Sequence, residues 1–120
     1  MPDQRLRRRE RLLHRGDYDR VYARQCRAGD GTLLVYVDRN GLGWSRLGLS
    51  VGRKAGGAVA RNRIRRRIRE GFRLSKESLP CGLDIVCVAN AQAQQKGYDV
   101  APAMRMLVMR AIRKWNTPKT

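Results

Sequence analysis

RNRIRRRIRE, residues 61–70, carries six arginines in ten positions and only two apolar side chains, Ile64 and Ile68. The fold turns on whether this stretch is a packed helix or a disordered basic tail. At about 100° per residue, Ala60, Ile64, Ile68 and Phe72 fall on one stripe roughly 120° wide, which predicts a helix over 58–75 docked on a sheet. Gly56 and Gly57 punctuate its start, and Pro80 to Gly82 break the chain beyond it. Asn62, Arg65, Arg66, Arg69 and Arg73 share the opposite face, with Arg63 and Arg67 on one flank and Arg61 at the apolar edge. Solvated helix faces usually mix charge signs, but Glu70 is the only acid here, so the repulsion among the arginines has no internal relief. Arginine also bonds phosphate with a planar fork and stacks on bases, which lysine does not.

The rest of the chain supplies the sheet. Its 120 residues, 42% hydrophobic, suffice for a single α+β domain over 1–120, with a basic arm at 1–15 and a tail at 116–120 expected to be flexible. TLLVYVD (32–38) and SRLGLSV (45–51), separated by the turn-rich RNGLGW, read as a hairpin, and LDIVCVA (83–89) as a third strand. A short helix is expected over Asp17 to Arg24, capped by Asp17. From Val100 to Trp115, Met104, Leu107, Val108, Ala111, Ile112 and Trp115 recur at helical spacing.

Charge narrows the function. Lys+Arg 27 against Asp+Glu 10 gives +17, which points to a polyanionic partner, nucleic acid first. Residues 1–27 hold nine basic and four acidic side chains, and residues 53–76 hold ten basic and one acidic. No apolar run approaches the roughly 20 residues of a membrane span, and MPDQRLRRRERLL lacks a signal peptide's apolar stretch. Cys26, Cys81 and Cys87 form no CxxC pair and have no neighbouring histidine, so they read as reduced thiols of a cytoplasmic protein. Tyr18 and Tyr22 lie one turn apart, and with Tyr36 they offer faces on which single-stranded bases stack, although aromatics at this spacing also serve as core. Catalytic patterns are missing: His14 is the only histidine, no phosphate-binding glycine motif occurs, and the ten acids are scattered. The chain is expected to have no small-molecule substrate and no chemistry of its own.

RLGLSVGRKAGGAVARNRIRRRIREGFR followed by LPCGLDIVCVAN, with DYDRVY at 17–22, resembles the bacterial ribonuclease P protein subunit over most of residues 5–115. The resemblance implies a compact α/β sandwich, a sheet of about four strands with three helices, in which the 58–75 helix joins parallel strands by a left-handed crossover. It implies a protein that assists a separate catalytic RNA, with its Mg²⁺ ions, in removing the 5′ leader of precursor transfer RNA. Carried over by motif, Arg61, Asn62, Arg63, Arg65, Arg66 and Arg69 face the RNA subunit. Tyr18, Tyr22 and Tyr36, with the basic pair Arg53 and Lys54, line the leader cleft. Arg67 stands where the family commonly has an apolar residue, so it either narrows the sheet-facing stripe or adds a phosphate contact. A structural ribosomal RNA-binding protein is the alternative that charge and fold class leave open; the arginine helix combined with an aromatic cleft separates the two.

Overall fold

In the computed structural model, which describes residues 6–116, the chain runs α1 (Arg15–Arg24), β1 (Arg27–Gly29), β2 (Leu33–Arg39), β3 (Arg46–Ser50), α2 (Ala58–Ser75), β4 (Leu83–Ala89) and α3 (Val100–Arg113). Among the described residues the strands form one mixed sheet in the order β1-β2-β4-β3. Strand β4 is central because it is the most continuously apolar: all its residues but Val88 are buried, as expected of a strand covered on both faces. It pairs antiparallel with β2 and parallel with β3.

That order corrects the expected hairpin. TLLVYVD and SRLGLSV are not neighbours, since β4 lies between them. The loop joining β2 to β3 crosses the start of β4, held there by the Asn40 N–H donating to the Gly82 carbonyl at 2.9 Å and the Leu83 N–H donating to Ser45 Oγ at 3.1 Å. The true hairpin is β1 with β2, turned at Asp30-Gly31, where Gly31 has φ +90° and Asp30 Oδ1 accepts the Thr32 and Leu33 amides. The first helix begins at Arg15, not Asp17, and its N-cap is His14, with no side-chain cap bond.

Helix α2 occupies the predicted span. Ile64, Ile68 and Phe72 are fully buried against the sheet, joined there by Leu33, Val35, Val37, Ile85 and Cys87. Full burial of each such aliphatic or aromatic side chain is worth about 1.5 to 3 kcal/mol. Helix α3 adds Met104, Leu107, Val108 and Ala111 to the same core. The two helices meet at Gly71, where an added Cβ would lie 2.6 Å from Val100 Cγ1, so only glycine permits the contact. Helix α3 ends at Arg113 and continues as a short 3₁₀ turn, Lys114–Asn116, that carries the half-buried Trp115.

The arm expected to be flexible is packed from Leu6 onward. Leu12 and Glu10 are buried, Glu10 pairs with Lys76 at 3.2 Å, and the Leu12 amide donates to Leu47 O at 2.8 Å, covering part of the free edge of β3. The expectations for 1–5 and 117–120 lie outside the described residues.

Candidate nucleic-acid interface

Helix α2 turns its isoleucines inward and so presents Asn62, Arg63, Arg66 and Arg69 outward, all exposed, with Arg61 and Arg65 half-buried. No acid occupies its first turn, and its N-cap, Gly57, offers no side-chain acceptor, so its positive pole is uncompensated. Burial and the nearby charges of Arg11 and Arg65 pull the Arg69 pKa down, a sign of like charges crowded without a counter-ion. Relief within the helix is confined to its end, where Arg73 pairs with Glu70.

Arg67 neither narrows the stripe nor faces phosphate. Its guanidinium donates to the carbonyls of Ala93 at 2.7 Å, Gln95 at 2.9 Å and Tyr98, so it ties α2 to the segment after β4. A flank position on the helical wheel becomes internal because that segment folds over it.

The tyrosines lie across the opposite face of the sheet, where α1 packs around Val21, Leu12 and Val86. Tyr18 and Tyr22 have ring centroids 6.5 Å apart, and Tyr22 meets Tyr36 edge-to-face at 4.8 Å and 88°. Arg27 on β1 extends the row, its guanidinium 5.9 Å from the Tyr36 ring. Burial pushes the Tyr22 pKa up, while Tyr18 Oη accepts the Leu49 amide at 3.1 Å. The rings are therefore half-buried and fixed, each partly open to solvent. Arg53 and Lys54 are exposed on the 3₁₀ turn that follows β3. A cleft of about 240 Å³ at the β3 edge, lined by Arg11, Leu13, Tyr18, Leu49, Arg65 and Arg69, joins the tyrosine face to the arginine face. Of the positions expected from sequence, Arg65 and Arg69 of α2 and Tyr18 of the tyrosine row line this cleft; the other helix positions and tyrosines lie on the two faces that it joins, and Arg53 and Lys54 are not part of its lining.

A buried ionic cluster escaped the sequence reading. Asp84, fully buried in β4, accepts Arg46 through two bonds of 2.7 and 2.6 Å, Asn40 at 3.0 Å, and Arg20 from α1. Arg20 also pairs with Asp38, and Asp17 lies 3.6 Å from Arg46. Burial alone would raise the Asp84 pKa, but the hydrogen bonds from Arg46 and Asn40 and the Arg46 charge outweigh it and hold the carboxyl below its usual range. The single acid within LDIVCVA was the signal available in the sequence. This cluster pins α1 to the sheet and neutralises Arg20 and Arg46 internally.

Among the described residues no group of three or more His, Cys, Asp or Glu is placed to hold a metal ion, and no helix is long and apolar enough to cross a membrane. All three cysteines are free thiols; burial pushes Cys87 up to about 12, which leaves it unreactive.

The family described as Ribonuclease P matches residues 6–111. The ribonuclease P protein component of Syntrophus aciditrophicus (strain SB) is 36% identical over 104 residues, covering 86% of this chain and 87% of the relative. The solved RNase P protein from Thermotoga maritima superposes with a TM-score of 0.69 at 30% identity, over 88% of this chain and 96% of that one. A mutant RNase P protein from Staphylococcus aureus superposes with a TM-score of 0.75 at 28% identity, over 88% and 89%.

Proposed function

The chain belongs to the ribonuclease P protein family, and from that premise we propose that it assists an RNA subunit in removing the 5′ leader of precursor transfer RNA. The observation that carries this reading is the junction at the β3 edge, where Arg65 and Arg69 of the α2 face and Tyr18 at the end of the tyrosine row line one cleft. Two RNA segments can therefore be held side by side. Arg61, Asn62, Arg63, Arg65, Arg66 and Arg69 take the RNA subunit through its phosphates. Tyr18, Tyr22 and Tyr36 stack the bases of the single-stranded leader, and Arg53 and Lys54 neutralise its backbone.

In this reading the polypeptide binds and orients, and the RNA subunit carries the hydrolysis. Mg²⁺ bound in the RNA-containing holoenzyme supplies activation of the attacking water and stabilisation of the leaving oxygen. Binding the leader beside the RNA subunit converts an encounter between two RNAs into a positioned complex. The reduced thiols suit a cytoplasmic location.

The test is to add the protein to its cognate ribonuclease P RNA at low Mg²⁺ and follow cleavage of precursor transfer RNA. The expected result is cleavage at the mature 5′ end that depends on the protein. A structural ribosomal RNA-binding protein would bind RNA with similar salt dependence and leave cleavage unchanged.

A further inference from the structure

A second aromatic and basic hollow lies beside the arm, apart from the tyrosine row. The indole N–H of Trp44 donates to Arg9 O at 2.9 Å, and the Arg9 guanidinium sits 4.8 Å from the centroid of the same indole. The pair fastens the arm to the β2–β3 loop and walls a hollow of about 500 Å³, lined chiefly by Arg8, Arg9, Arg11, His14, Leu42 and Trp44. No carboxylate lines it, and Arg8, Arg9 and Arg11 have no acidic partner among the described residues. The Asp84 cluster already neutralises Arg46 at its margin. Leu13, 56% exposed, forms an apolar rim.

We propose that this hollow takes one unpaired nucleotide of the RNA subunit, its base against Arg9 and Trp44 and its phosphate among Arg8, Arg11 and His14. The inference rests on the functional reading above and extends it. Three observations favour this occupant. The hollow is an open depression of about 500 Å³, within the size range of small-molecule clefts, which suits a single unpaired nucleotide better than a duplex. The chemistry pairs an indole and a guanidinium plane with unneutralised cations, the combination that holds unstacked RNA bases. Finally, Arg11 and Leu13 also line the cleft that reaches Arg65 and Arg69, so an RNA strand on α2 arrives at the hollow without leaving positive surface. None of the three tyrosines lines the hollow itself, although Tyr18 lines the adjoining cleft.

The test uses Trp115→Phe, in which Trp44 is the sole tryptophan. Titration with the ribonuclease P RNA subunit should quench Trp44 emission at the binding midpoint, while a leader oligonucleotide alone should not. Trp44→Ala should weaken RNA-subunit affinity by about 5- to 150-fold, the loss expected for one stacked base. Arg8→Ala combined with His14→Ala, two exposed positions, should weaken it and flatten its salt dependence. If Trp44→Ala fails to fold, the emission titration and the Arg8/His14 double variant decide. Full affinity in those variants without quenching overturns the inference alone, as does quenching by the leader in place of the RNA subunit. Failure of the unaltered chain to bind the RNA subunit at all overturns the functional reading and this inference with it.

Discussion

The ring of Tyr18 lies directly on Gly48: a Cβ built at residue 48 would stand 2.8 Å from Tyr18 Cε1 and 3.0 Å from its hydroxyl. The only side chain that leaves Tyr18 in place is a hydrogen atom. Gly48→Ala should tilt the ring outward and break the Leu49 amide bond to Tyr18 Oη, a loss of about 0.5 to 1.5 kcal/mol. The tip of the tyrosine yields before the strand does, so the domain should still fold. Holoenzyme affinity for leader-bearing precursor should fall while affinity for mature transfer RNA holds; equal losses for both would show that the residue serves stability alone.

Tyr22→Ala should cost about 1 to 3 kcal/mol in precursor binding if the ring stacks a leader base. Because Tyr22 also packs edge-to-face on Tyr36, the free protein should lose about 0.5 to 1.5 kcal/mol of stability as well. Leaders of one to ten nucleotides separate the two effects. The binding deficit should appear only once the leader reaches the cleft, whereas a packing defect would weaken every substrate alike.

Arg66 and Arg67 are consecutive residues with opposite expected behaviour. Arg66→Ala, at an exposed position, should change stability by less than about 0.5 kcal/mol and reduce the log–log salt slope of RNA binding by roughly 0.7 to 0.9. Arg67→Met removes three charge-assisted bonds to carbonyls; it should destabilise the fold by about 1 to 3 kcal/mol and leave the slope unchanged. Denaturant melts and salt titrations of the two variants check both halves.

Asp84→Asn should destabilise the domain by about 3 kcal/mol, the lower end for a broken buried pair, since Arg20 keeps Asp38 and Arg46 keeps Asp17. The folded carboxyl sits below its unfolded value, so its contribution is complete above the unfolded pKa, about 3.9, and is lost as pH falls through the folded pKa. Melting temperatures measured from pH 6 down to about pH 2 should therefore fall less steeply in the variant than in the parent. Parallel curves would mean that other carboxylates dominate acid unfolding.

Sequence reading was strongest where one periodicity dominated. The isoleucine stripe of α2 fixed the helix span because Ile64, Ile68 and Phe72 have no competing burial site. It was weakest where partners are distant along the chain. Proximity suggested that β2 and β3 pair, and only the greater apolarity of β4 explains why they do not. Strand β1 is three residues long, too short for a pattern to declare itself. The tyrosine row followed from spacing and from the family resemblance. Arg67 takes its role from a segment 26 to 31 residues away and Asp84 from partners 38 to 64 residues away, which no local signal encodes.

The central position of β4 also dictates when the molecule can form. During synthesis from the N-terminus, β1 and β2 are the only strands with a partner until residue 83 has been made. Helix α2 is complete by Ser75, so its apolar stripe meets an unfinished floor while its arginines are already present. Such non-local closure is slow and leaves hydrophobic surface open in the interim. A nascent chain stopped before Leu83 would be a strongly cationic segment with only the β1–β2 hairpin paired, able to attract any nearby polyanion but unable to hold Tyr18 against Gly48 of β3.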